Sequence, residues 1–77
     1  MNPNAMTSKS ERTRRAILDL LAGGSALTAD TLAERLDLSI LYVRPRVSEL
    51  VSQQRIIPSG ERAPNASGKL AHKWMAA

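Results

Sequence analysis

From Ala16 to Val51 the apolar residues of this chain fall mostly into runs spaced three and four apart, and beyond Val51 they do not. That change of period limits the fold: three amphipathic helices can share one core, and the residues after Val51 must form something other than a fourth helix. Ser8-Lys9-Ser10-Glu11 is a capping box, in which the Ser8 hydroxyl accepts from the Glu11 N–H and the Glu11 side chain reaches back to Ser8. Behind it Ala16, Ile17, Leu20 and Leu21 share a face, and Gly23-Gly24 supplies a left-handed stop, so a first helix is predicted over residues 9–22. Thr28 is the next N-cap, Asp30 favours the positive end of a helix dipole, and Ala29, Leu32, Ala33 and Leu36 make one face of a two-turn helix. Asp37-Leu38 breaks it, Ser39 caps again, and Ile40, Val43, Val47, Leu50 and Val51 form the stripe of a third helix reaching about Gln54.

Pro45 is the misfit in that third helix. It has no N–H for the Leu41 carbonyl, and its ring presses on the same carbonyl. Either the helix begins late, near residues 42–44, with Pro45 in its first turn, or it begins at Ile40 and kinks; the late or loosened start is the expectation adopted. After it, Arg55-Ile56-Ile57-Pro58 and the stretch from Lys69 to Trp74 read as short strands around a long polar tip from Ser59 to Gly68. Pro58 suits only an edge or a strand end, so the first strand should be brief.

Seventy-seven residues hold one small domain, placed at 8–77, behind a lead at 1–7 that has no periodicity and is expected to be disordered. With no cysteine the chain can form neither a disulfide nor a Cys-ligated zinc site, which suits a reducing cytoplasm. No apolar run approaches the ~20 residues that cross a bilayer, so no membrane partner is expected. His72 is the single histidine, and no paired carboxylates or nucleophile motif accompany it. No metal, no cofactor and no catalytic residue is therefore expected, and an enzyme is the weakest reading.

Charge says more. The formal net charge is +4, and it is segregated: +3 over residues 1–15, −3 over 16–43 and +4 over 44–77. Such segregation favours one basic working surface over a uniformly solvated coat.

The order helix, short extended piece at Ala26-Leu27, helix, tight turn, helix and basic hairpin resembles the winged helix-turn-helix family of DNA-binding domains. The residues that carry the resemblance are the run from Leu27 to Ser39, the run from Val43 to Leu50, and Arg55-Ile56-Ile57. The Gly-Glu-Arg and Pro-Asn-Ala-Ser-Gly segments of the hairpin are similar to those of small phage-borne members, and the pattern recurs in bacterial and phage transcription regulators. Two positions depart from it: Asp37 stands where the turn usually has Gly, and Pro45 lies inside the third helix. The resemblance implies an α+β, mostly helical fold, three helices with a C-terminal β-hairpin wing. It further implies sequence-specific binding of double-stranded DNA in transcription regulation, by a monomer or weak homodimer. The other reading is an interaction module whose basic surface meets an acidic protein.

On a helical wheel Tyr42, Pro45, Glu49 and Ser52 point outward, with Arg44 and Arg46 on opposite flanks. One of these arginines is expected to reach a guanine edge and the other a phosphate. Ser39, Tyr42, Arg44 and Arg46 are thus the candidate residues of the reading helix. Arg62, Asn65, Lys69 and Lys73 are those of the wing, placed for the backbone or the minor groove. Lys9, Arg12, Arg14 and Arg15 could add a basic face that touches phosphate. Trp74 is expected to cover the core.

Overall fold

Ser8, Thr28 and Ser39 each hold extended backbone at the head of a helix. Their side-chain oxygens accept from the N–H groups of Glu11 (3.1 Å), Thr31 (3.2 Å) and Leu41 (3.1 Å). These three caps set the starts of α1 (Lys9–Leu21), α2 (Ala29–Leu36) and α3 (Ile40–Ser52) in the computed structural model, which describes residues 8–77. The lead expected at 1–7 lies outside the described residues. A hairpin of β1 (Ile56–Pro64) and β2 (Leu70–Ala76) completes an α+β, winged-helix-like layout.

The start of α3 corrects the expectation of a late helix. It begins at Ile40 and carries Pro45 inside it. The Ser39 carbonyl accepts from both Tyr42 N–H and Val43 N–H at 3.0 Å, and with the hydroxyl cap this secures the first turn. The bond that Pro45 cannot make would have gone to Leu41, which is exposed, so water can serve its carbonyl. Asp37 takes the left-handed conformation (φ 55°) in the turn between α2 and α3, as Asp tolerates, while Leu38 N–H returns to the Ala33 carbonyl at 2.9 Å.

The hairpin differs from expectation as well, for β1 runs nine residues, through Pro58. A two-stranded sheet leaves both strands at an edge, where a missing N–H costs no ladder bond. Pro58 pairs with Trp74 and Arg62 with His72, so Ser59-Gly60-Glu61 bulge opposite Lys73 alone, helped by φ +93° at Gly60. At the tip Asn65 N–H donates to the Lys69 carbonyl (2.8 Å) and Gly68 N–H to the Asn65 carbonyl (2.9 Å), with Gly68 at φ +85°. The expected long loop is thus a tight turn on an extended ladder.

Ile17 and Leu21 of α1, Leu32 and Ala33 of α2, Val43, Val47 and Leu50 of α3 and Ile56 of β1 form the buried core. Trp74 packs against it partly buried, as expected, and exchanges two backbone bonds with Leu27 (3.0 and 2.7 Å). That bridge adds the short extended piece before α2 to the outer side of β2 and ties the hairpin to the helices.

Candidate nucleic-acid interface

The two arginines of α3 go separate ways. Arg46 turns toward α1, where its Nη1 donates to Ser10 Oγ (2.6 Å) and its Nη2 to Glu49 Oε2 (2.8 Å). Arg14 of α1 reaches the other oxygen of Glu49 (2.7 Å) and also Glu11 (2.9 Å). One carboxylate thus joins two guanidinium groups across the α1–α3 seam, and both arginine side chains are only 16% exposed. Glu11, expected to reach back to Ser8, is spent on Arg14, whose hydrogen bond holds its carboxyl below the usual glutamate range.

Tyr42 belongs to the same seam. Lys9 Nζ (4.7 Å to the centroid) and Arg46 Cζ (5.2 Å) both lie over its ring, two cations attracted to one π system. The hydroxyl is buried without a well-formed hydrogen bond, yet the neighbouring Ser10 and Thr13 side chains, and after them Arg46, hold its pKa below the ordinary tyrosine value. The wheel had Tyr42 and Glu49 pointing outward and Arg46 free for phosphate or base. The structure corrects all three, because α1 presents Ser10, Thr13 and Arg14 to α3 and draws in a polar flank that an apolar stripe cannot reveal.

The outward face of α3 is Leu41, Arg44, Pro45, Ser48 and Ser52, all exposed. Arg44 makes no ion pair among the described residues. It lines a groove of about 340 Å³ with Asp30, Ala33 and Glu34 of α2, Leu38 of the turn, Ile40 at the start of α3, and Ala66 and Ser67 of the wing tip. The tip is held there by Ala66 N–H donating to Asp30 Oδ2 at 2.6 Å. Of the candidate residues on α3, Ser39 uses its hydroxyl as a cap, and Arg44 alone has an exposed side chain without a hydrogen bond or ion pair among the described residues.

Wing candidates also divide. Asn65 Oδ1 accepts from Ser67 N–H (3.0 Å), Ser67 Oγ–H (2.7 Å) and Lys69 N–H (3.1 Å), so this side chain builds the turn. Arg62 is exposed opposite His72, on the sheet face shared with Pro58 and Trp74. Lys73 is half-buried opposite the bulge and, by alternation, on the other face, while Lys69 is exposed beside the tip. Arg62 and Lys69 remain the accessible wing cations. Sequence reasoning missed the Glu49 bridge, of which only the Glu11–Arg14 and Arg46–Glu49 spacings of three were visible, and it missed the Asp30 tether altogether.

Among the described residues no three His, Cys, Asp or Glu side chains are placed to share a metal ion, and no helix is long and apolar enough to cross a membrane. No protein family, no curated protein and no solved structure matches the chain.

Proposed function

We propose that the protein is a winged-helix binder of double-stranded DNA, acting in bacterial or phage transcription regulation, with α3 in the major groove and the hairpin on the neighbouring backbone. The observation that carries this reading is the common groove of Arg44 and the wing tip: an arginine of the outer face of α3, in no ion pair among the described residues, lines the same groove as Ala66 and Ser67 of the turn beside which Lys69 is exposed. A guanidinium fork matches guanine O6 and N7, and flanking lysine and arginine side chains suit phosphate. Arg44 is the base-reading residue in this proposal, and Arg62 and Lys69 are phosphate contacts. Arg46, Tyr42 and Asn65 hold those groups in place without touching DNA.

Asp30 and Glu34 on the α2 wall carry the opposite sign. They discourage close approach of phosphate on that wall and leave α3 and the wing as the contact edges. A second reading, an interaction module for an acidic protein, has in its favour the exposure of Leu41 (78%) and Leu70 (66%). Titrating a random duplex at increasing salt separates the two. The DNA reading expects binding at ~50 mM salt with a steep log–log decline, because each neutralised phosphate adds a slope of about −0.9. Absence of duplex binding at that salt rejects it.

A further inference from the structure

Leu41 is the most exposed large apolar side chain among the described residues, and it takes no part in the core that Ile40 beside it packs against. Single exposed leucines are ordinary on protein surfaces. This one differs in its setting: Arg44 and Pro45, three and four residues on, share its face, and together they make an apolar ridge with one guanidinium at its side. Pro45 adds a rigid ring and no N–H, so the ridge offers no donor except Arg44.

The major groove displays one apolar group, the C5-methyl of a pyrimidine, and one base whose two acceptors match an arginine fork, guanine. A three-residue step along a helix advances about 4.5 Å, and successive base pairs rise about 3.4 Å. With α3 laid along the major groove, as the DNA-binding reading has it, Leu41 and Arg44 can address neighbouring base pairs. Arg44 beside the ridge, and Lys69 and Arg62 on the wing, favour a polyanion over a neutral protein surface as its occupant.

We infer that Leu41 is a specificity-determining residue that recognises the C5-methyl of a pyrimidine next to the guanine read by Arg44. Thymine and 5-methylcytosine both present that methyl. This rests on the DNA-binding reading and sharpens it, by making a methyl group part of the recognised site.

The test begins with a duplex selected from a random pool. At each pyrimidine of that duplex, thymine is compared with uracil, and 5-methylcytosine with cytosine, so that each pair differs by the methyl alone. At one position beside the Arg44-dependent guanine, the methylated member of each pair should bind about fourfold more tightly, which corresponds to ~0.8 kcal/mol for one buried methyl-sized group. The two pairs also show whether thymine or 5-methylcytosine is the better source. Leu41→Ala should bring both ratios to about one, and Leu41→Met should keep them above one. Ratios near one in the wild-type chain, or unchanged in Leu41→Ala, overturn the inference. A defined motif without a methyl effect overturns it alone and leaves the ridge to a protein partner; a chain that selects no duplex overturns the DNA reading along with it.

Discussion

Arg44 and Arg46 stand two residues apart in different settings, and on the DNA-binding proposal truncating each should produce opposite signatures. Arg44→Ala removes an exposed, unpaired side chain; its melting temperature should stay within the equivalent of ~0.5 kcal/mol, while discrimination at one base pair falls by roughly 1–3 kcal/mol. Arg46→Ala removes hydrogen bonds to Ser10 and Glu49 on the α1–α3 seam. It should cost about 1–2 kcal/mol of stability and lower the melting temperature by several degrees. Thermal melts and duplex titrations of both variants check the pair, and a stable Arg46→Ala that fails only in DNA binding would contradict the seam. Acid should weaken the same seam. The Glu11 pKa is lowered in the folded state, chiefly by its hydrogen bond to Arg14, so its contribution is present above the ordinary glutamate pKa and lost as pH falls through the folded value. Melting curves from pH 7 to pH 2 should therefore show wild type above Glu11→Gln at neutral pH, with the gap closing in acid.

Among the elements, α3 and the hairpin invite the sharpest tests. Pro45 occupies an interior helical position with an exposed face, at a cost of up to ~3 kcal/mol relative to Ala, partly offset by the stiffness it gives the unfolded chain. Pro45→Ala should stabilise by about 1–2 kcal/mol and raise the melting temperature by roughly 5–10 °C. A lower melting temperature would show that the first turn of α3 is not a continuous helix. The wing tip rests on the Asp30–Ala66 contact. In Asp30→Asn the acceptor keeps its shape and loses its charge, so the Ala66 amide should exchange its hydrogen faster while amides of α1 stay protected; equal exchange would mean the tip is held by other means.

For the whole molecule, the order of elements and the core were legible in the sequence because both rest on local signals. Ser8, Thr28 and Ser39 as caps, and the stripes through Ile17, Leu32, Val43 and Leu50, are read from spacings within a turn or two. The length of β1 was not, since a strand that crosses Pro58 and a bulge depends on its partner. The site was half legible for a related reason. Arg44 and the wing cations could be named from charge and position, but the capture of Arg46, Tyr42 and Glu49 by α1 joins residues about 35 apart, and the tether of Ala66 to Asp30 spans 36. No periodicity carries such pairings. Replacing Arg62 and Lys69 together by Ala should lower affinity for every duplex and reduce the salt slope by about 2, one for each lost phosphate contact.

Backbone amide shifts recorded by NMR during titration with a short duplex would test directly whether the protein meets DNA and through which surface. The changes should concentrate on the outer face of α3 from Leu41 to Ser48 and on the hairpin around Arg62 and Lys69, and should fade as salt rises. Changes confined to other surfaces, or no change at low salt, would contradict a DNA interface built from α3 and the wing.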